Sequence, residues 1–258
     1  MVMSFFLRAS YLILLSCNGD SNAIQKTSID GIRCLYVTYN LPFSDKKTGN
    51  IFNLKDSCMI FFKDNLILYR IPYHHSFVFK DSTIHQTRHE FFIFEKNHDT
   101  GYNYNAYEPA DNRKMKVDSV LGHKAFTQLN AFYKLFEKDE LILVSSLQDS
   151  SRHYLEEKYV TREKKDFSDF DTAFFYFTDK LDGINFSLMR SLDSVKQLKL
   201  FRLRFLTIPT YYPEYKVSVK AREFYFDVKE IPVTNSKEIL DYFERYKKDY
   251  YKDTPPRI

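Results

Sequence analysis

Five histidines lie close together in the first half of the chain, and histidine ring nitrogens are common zinc ligands. They are His74, His75, His85, His89 and His98. His85 and His89 would share one face of a helix, but their neighbours predict strand and turn. Four strand residues span about 13 Å, which is too far for two side chains to share one ion. We therefore predict a solvated loop face, no metal and no cofactor, with His85 and His89 as the nearest candidates for ligands.

The three cysteines suggest a different chemistry. If the chain between the first two predicted strands turns about Lys46, an antiparallel pair places Cys34 opposite Cys58. A cross-strand disulfide between Cys34 and Cys58 is then geometrically feasible in an oxidising compartment. Two buried free thiols on neighbouring strands are the slightly favoured alternative.

Motifs that mark common catalytic sites are absent from the sequence. It contains no Gly-x-Ser-x-Gly turn, no glycine-rich phosphate loop and no Cys-x-x-Cys pair. Catalytic triads need not be local in sequence, so a hydrolase stays open as an alternative to a binding protein.

The first seventeen residues differ from all that follow. Arg8 is their only charge, and the uncharged run from Ala9 to Ser16 leads into Cys17. Eight residues are too few to span a bilayer, which needs about 20, but they suit the apolar region of an export signal. The next residues, Asn18 to Ala23, are polar and turn-forming, which is typical of a flexible tether.

The sequence Leu14-Leu15-Ser16-Cys17 resembles the lipobox of bacterial lipoprotein precursors. The resemblance implies cleavage before Cys17, with diacylglycerol on its sulfur and an acylated amino terminus. It implies a signal peptide over 1–16, a lipidated tether over 17–29, and the membrane as a partner through Cys17. Because Asn18 rather than Asp follows Cys17, we expect the outer membrane of the cell envelope rather than the inner one. An ordinary secreted or anchored protein is the alternative.

Composition favours a β-rich globular domain. The chain has 25 Phe and 20 Tyr but no Trp, and 44% of its residues are hydrophobic, which excludes a disordered chain. Basic and acidic residues are interspersed, without the basic stripe that nucleic-acid-binding proteins carry, so nucleic acid is not an expected partner.

The patterning predicts one mainly β (α+β) domain over 30–250, followed by a flexible tail over 251–258. The clearest hairpin is Cys58 to Arg70, turning at Asp64-Asn65. The other predicted strands are 31–39, Ser76–Lys80, Glu90–Glu95, Leu141–Ser145, His153–Thr161, Thr172–Thr178, Lys199–Thr207 and Tyr215–Glu230. Helical spacing occurs over Val117–Phe136, Ser187–Leu198 and Ser236–Tyr250, the last with Asn235 as its cap and Ile239, Leu240, Phe243 and Tyr246 on one stripe.

Two predicted strands are apolar on both faces, Glu90–Glu95 and Ala173–Phe177. A half-solvated antiparallel sheet alternates apolar and polar residues, so these strands must be covered twice. A sandwich, or a sheet with helices across one face, would cover both faces of these strands. A large curved sheet that holds an apolar ligand would also do it, as in lipoprotein-carrier-like folds. We therefore expect a non-enzymatic envelope lipoprotein that binds a partner protein or an apolar ligand. An envelope hydrolase and a purely structural lipoprotein are the alternatives.

Overall fold

The computed structural model describes residues 30–79, 82–105, 112–122, 124–127, 129, 140–149, 151, 153–162 and 170–253. The predicted leader, Cys17, the tether and residues 254–258 lie outside the described residues. Within the described part, the fold is mainly β and is built on one eleven-stranded antiparallel sheet. The predicted fold class is confirmed, and the arrangement that forms is a single large sheet with helices rather than two large packed sheets.

The first half of the sheet is a meander that starts at the centre and runs outward. Its strands are β1 (Arg33–Ser44), β2 (Ile51–Lys63), β3 (Leu66–Phe79), β4 (Ser82–Glu95), β5 (Thr100–Asn105) and β6 (Asn112–Lys116). The predicted hairpin is confirmed: Lys63 pairs with Leu66 across Asp64-Asn65, and Asp64 takes a φ of 52°. The predicted strand Ser76–Lys80 is not separate, because Ser76 to Phe79 continue β3.

The second half starts at the far edge and runs inward. Its strands are β7 (Leu141–Asp149), β8 (Tyr154–Thr161), β9 (Phe170–Thr178), β10 (Lys199–Thr207) and β13 (Glu223–Ile231). Between the last two, β11 (Thr210–Tyr212) and β12 (Val217–Val219) form a separate small hairpin. Strand β13 pairs with both β10 and β1, so it joins the two halves into one sheet with the order β6-β5-β4-β3-β2-β1-β13-β10-β9-β8-β7.

Helices cover the sheet unequally. We call the side that bears Leu35, Val37 and Ile60 the front face; it carries the larger core. Above it lie α1 (Val117–Leu121), a 3-10 turn (Ala125–Thr127) and α2 (Arg190–Lys196). The back face, which bears Cys34, Phe61 and Phe91, packs against α3 (Ser236–Asp253).

Helix α3 confirms the predicted C-terminal helix and extends three residues beyond its predicted end. Ile239, Phe243 and Tyr246 are buried against the back face, and Leu240 is partly buried beside them. At its start, the amide nitrogen Nδ2 of Asn235 donates a hydrogen bond to Oε2 of Glu238 over 2.7 Å. The amphipathic stripe therefore faces the sheet as its spacing indicates.

The other two helices are shorter than predicted. Helix α1 ends at Leu121, and Gly122 separates it from the 3-10 turn, while residues 130–136 of the predicted helix lie outside the described residues. Helix α2 begins only at Arg190, because the hydroxyl oxygen of Ser187 accepts a hydrogen bond from the Met189 amide and holds this stretch in a turn. Leu188 and Leu192 are buried as the spacing predicts, but Val195 is exposed.

Both strands that are apolar on two faces are covered twice, in different ways. In β4, Phe91 and Ile93 contact the α3 side while Phe92 and Phe94 belong to the front core. In β9, the back-face ring of Phe174 lies between two cations: Lys158 Nζ is 5.8 Å and Arg204 Cζ is 5.5 Å from the ring centroid. Long basic side chains thus cover the aromatic rings of β9, as cation–π contacts allow.

Candidate functional site

A cleft of about 390 Å³ opens on the front face. Five separate segments line it: β3 with β4, the β4–β5 turn, α1, the 3-10 turn, and the loop before α2. Its apolar lining consists of Ile67, Tyr69, Phe94, Val117, Leu121, Phe126 and Phe186, and its polar lining consists of Asn97, His98, Asp99, Asp118, Thr127, Asn185, Ser187 and Arg190. The volume falls in the range of small-molecule sites.

Four aromatic rings form the apolar side of the cleft. Tyr69 stacks between Phe94 and Phe126, with ring centroids 6.0 and 6.2 Å away. Phe186 continues the series, 6.4 Å from Phe126. Tyr69 and Phe94 lie on neighbouring strands and point to the same face, since Tyr69 is opposite Phe92 and Ile67 is opposite Phe94. The sheet register therefore sets the stack.

Burial raises the pKa of the Tyr69 hydroxyl, and the nearby Cys58 adds to the rise while the Arg190 charge opposes it. Tyr69 is therefore a neutral phenol at physiological pH. This side of the cleft therefore carries no charge, and its rings Tyr69, Phe94 and Phe126 are largely buried, at 7%, 8% and 2% exposure.

The polar rim is held by hydrogen bonds to backbone carbonyls. The amide of His98 donates to the Glu95 carbonyl over 3.0 Å, which closes the β4–β5 turn, and the amide of Val117 donates to the Asp99 carbonyl over 2.8 Å. The second bond fixes the start of α1 to this turn. On the opposite side, the Thr127 hydroxyl donates to the Leu121 carbonyl over 2.7 Å and ties the 3-10 turn to α1.

The loop that carries Phe186 and Ser187 is organised by Asp193. Its Oδ1 accepts the amide of Leu200 over 2.8 Å, and Nζ of Lys199 donates to the Phe186 carbonyl over 3.3 Å. Burial raises the pKa of Asp193, and contacts with Ser187, the Leu200 amide and Lys199 oppose the rise. These contacts hold Phe186 against the other rings.

The candidate metal ligands lie on one strand. His85 and His89 both belong to β4, opposite Ser76 and Pro72 of β3. They are not on a helix, and the predicted loop face is wrong for them, because both positions lie within a strand whose backbone pairs with β3. Four strand residues span about 13 Å, so the two cannot share one ion. The side chain of His85 lies outside the described part. Among the residues that the structure describes, no group of three His, Cys, Asp or Glu side chains is placed to hold a metal ion.

The predicted register of the two cysteines is wrong. Cys34 pairs with Phe61, and Cys58 pairs with Val37, so the two are offset by three positions. The β1–β2 turn lies further along the chain than Lys46, and Cys34 therefore faces the back core while Cys58 faces the front core. Both thiols are free and buried. Burial raises the pKa of Cys34 to about 12 and raises that of Cys58 as well.

Comparison with known proteins adds no assignment. No protein-family model matches this chain, and no curated protein matches its sequence. In the described ranges, no helix combines the length and the apolar character that crossing a bilayer requires.

The sequence allowed for an apolar ligand on the sheet but did not predict the residues that line this cleft. Its rings come from segments as distant as Tyr69 and Phe186, and the only signal was the unexplained apolarity of strands such as Glu90–Glu95. Of the histidines that the sequence singles out, His98 lines the cleft, 3.6 Å from Oε2 of Glu95 through its Nδ1.

Proposed function

We propose that this chain is a lipid-anchored protein of the cell envelope whose β-rich domain binds an apolar ligand without transforming it. The observation that carries the proposal is a row of four aromatic rings along one side of the cleft: Phe94, Tyr69 and Phe126 stack, and Phe186 meets Phe126 at a tilt of 49°. Ligand sites are typically concave, lined by apolar and aromatic side chains, and oriented by a few polar groups. The ligand that fits best has an apolar body and a polar end directed to the rim.

The contacts of Ser187 support binding rather than hydrolysis. A nucleophilic serine needs a base within hydrogen-bond reach. The Ser187 oxygen accepts the Met189 amide over 3.1 Å, and its side chain contacts the carboxylate of Asp193. That carboxylate already accepts the Leu200 amide over 2.8 Å and lies 3.8 Å from Lys199 Nζ, so these contacts organise the loop. His98 lies beside Glu95 on the other side of the cleft.

The cleft is tested by titrating the full chain with a dansyl-labelled long-chain fatty acid and following probe fluorescence. We expect saturable binding at one site. Asn185 is exposed at the mouth of the cleft, so Asn185→Trp should obstruct entry and weaken binding roughly tenfold or more, which corresponds to about 1.4 kcal/mol.

The matched control is Val195→Trp, because Val195 is 66% exposed on α2 and outside the cleft. It should bind the probe like the parent chain. Equal affinity in both variants would remove the cleft from the proposal. Hydrolysis of a p-nitrophenyl ester that is lost in His98→Gln would instead favour the hydrolase.

The anchor is tested separately, through covalent chemistry at Cys17. Radiolabelled palmitate fed to producing cells should be incorporated into the parent chain but not into Cys17→Ser. Cys34→Ser, which changes a buried thiol of the domain, is the control and should retain the label. Label that persists in Cys17→Ser contradicts the lipoprotein proposal.

A further inference from the structure

One end of the molecule carries a cluster of exposed apolar side chains. We call residues 41–55 and 208–221 the tip; they comprise the end of the β1–β2 hairpin and the β11–β12 hairpin with its flanks. Six large apolar residues of the tip are between 38% and 59% exposed, namely Phe43, Phe52, Leu54, Ile208, Tyr211 and Tyr215. Isolated exposed apolar residues are ordinary, but a group of this kind marks an interaction surface.

The β1–β2 arm of the tip separates from the neighbouring strands. Pairing of β1 with β13 stops at Asn40, and pairing of β2 with β3 begins only at Met59. Beyond these positions β1 and β2 pair only with each other within the described part, and Phe43 lies directly opposite Phe52. Neither the front core nor the back core includes these two rings.

The two hairpins of the tip are held together. The buried Arg222 donates from Nη1 to the Ser44 hydroxyl over 3.0 Å and to the Pro42 carbonyl over 3.3 Å. The Lys46 ammonium lies 5.3 Å from the centroid of the Tyr212 ring. Gly49 approaches Val217 so closely that an added Cβ would be 2.7 Å from Cγ1 of that valine. The exposed rings are therefore carried by two hairpins that are fixed to each other by specific contacts.

Basic residues surround the apolar ones. The tip contains Lys46, Lys47, Lys55, Lys216 and Lys220, against the acidic residues Asp45 and Glu214. All five lysines are exposed. A surface with exposed Tyr and Phe among lysines matches a membrane interface, where aromatic rings sit at the head-group level and lysines meet anionic lipid.

We propose that the tip docks onto a bilayer that contains anionic lipid, with Phe43, Phe52 and Tyr211 entering the interfacial region and the lysines contacting head groups. Charge complementarity selects this occupant over a second copy of the chain, because two tips of like positive charge repel each other. The tip is separate from the cleft, and its docking requires no acylation of Cys17.

The position of the tip is compatible with an acylated Cys17. Arg33 and Phe43 lie at opposite ends of β1, about 33 Å apart. Residues 17–29 span at most about 43–47 Å when fully extended. The tether is therefore long enough for the anchor and the tip to contact the same bilayer.

The test uses the absence of tryptophan in the chain. A single tryptophan is introduced into the full chain by Tyr211→Trp in the tip. The control is Val195→Trp on α2, which lies at the opposite end of β10. Both are mixed with vesicles of equal parts phosphatidylglycerol and brominated phosphatidylcholine. We expect a blue shift and quenching at position 211 and no change at position 195.

Charge variants measure the lipid contribution. In chains that also carry Cys17→Ser, so that no acyl anchor contributes, Lys216→Ala combined with Lys220→Ala should lower the partition coefficient of the Tyr211→Trp chain about 30-fold, since each lysine near an anionic surface contributes about fivefold. Lys180→Ala combined with Lys237→Ala removes two exposed lysines away from the tip and should leave partitioning unchanged.

Three outcomes would overturn the proposal. Emission at position 211 that vesicles do not alter would show that the tip stays in water. Equal quenching at positions 211 and 195 would mean that the chain meets lipid without orientation. A blue shift that grows with protein concentration in the absence of vesicles would assign the tip to a second copy of the chain.

Discussion

Tyr242 of α3 stacks on Phe91 of β4, with ring centroids 4.1 Å apart and planes inclined by 17°. Tyr104 of β5 joins this pair from the neighbouring strand, 6.0 Å from Tyr242. Its hydroxyl donates to Asp249 over 3.1 Å, and the Arg245 guanidinium lies 4.5 Å from its ring centroid. The back face of β4 and β5 therefore depends on α3 for its burial.

This dependence predicts that loss of α3 packing destabilises the whole domain. Phe243 has no exposed surface in the back core, so Phe243→Ala should lower the free energy of unfolding by about 3–5 kcal/mol. Lys248→Ala, on the exposed side of the same helix, should change it by less than about 0.5 kcal/mol. Urea unfolding followed by circular dichroism measures both. Similar midpoints would show that α3 is not coupled to the sheet.

The periodicity of apolar residues predicted the helices and strands that bury a regular stripe of apolar side chains. The sequence predicted the helix at Ser236–Tyr250 because its apolar residues recur on one helical face. It predicted the strand at Lys199–Thr207 because this stretch is rich in apolar strand-forming residues. Strand β5 was missed because Thr100–Asn105 contains Gly101 and two Asn residues, which disfavour strands. It forms because Tyr102 and Tyr104 gain burial beneath α3, a tertiary effect that local propensity does not contain.

The candidate site was less predictable than the fold. Non-alternating apolarity at Phe91 to Phe94 indicated that both faces of this strand would be covered, and this is confirmed. It could not indicate that Phe126 and Phe186 would join Tyr69, because these rings meet only after the second half of the chain returns to the sheet centre. The cysteine register failed for a related reason. A turn placed one or two residues off changes which residues face each other across the strands.

The two domain cysteines should be unreactive in the folded chain. They lie on opposite faces of the sheet, and burial raises the pKa of Cys34 to about 12. The thiolate fraction of Cys34 at pH 8 is then about a thousandfold below that of an ordinary thiol, so alkylation should be slower by a similar factor. Intact mass of Cys17→Ser after iodoacetamide treatment without reductant should show two adducts in urea and none in native buffer. Absence of adducts in urea would indicate a disulfide.

Stability should fall at alkaline pH. Burial, followed by the Glu95 charge, raises the pKa of Tyr246 from 10.0 to about 12. A group with a raised pKa stays protonated in the folded chain while the unfolded chain loses its proton. Its contribution is therefore complete below pH 10 and is lost as the pH rises from 10 to 12. Each such group contributes up to about 1.4 kcal/mol per pH unit.

Burial also raises the pKa of Tyr69, Tyr104 and Tyr159, so the losses add in the same direction. Urea midpoints measured between pH 8 and 11 should be level at first and then decline steeply. Tyr246→Phe should reduce the slope of the free energy of unfolding against pH by up to about 1.4 kcal/mol per pH unit, which corresponds to one proton. An unchanged slope in that variant would contradict the assignment to Tyr246.

A side chain at position 49 should be destabilising for two reasons, the positive φ of Gly49 and its close approach to Val217. Gly49 and Gly183 have nearly equal φ values of 75° and 77°. An added Cβ at Gly49 would meet Val217 at 2.7 Å, whereas the nearest atom to one at Gly183 is Nη1 of Arg33 at 3.9 Å. Both alanine substitutions should lose about 1–2 kcal/mol to backbone strain, and Gly49→Ala should lose about 1–3 kcal/mol more through overpacking. Urea unfolding of the two variants isolates this difference. Equal losses would show that Gly49 in the β1–β2 turn is not in tight contact with Val217 of β12. The two hairpins of the tip would then lack one of the contacts that hold them together.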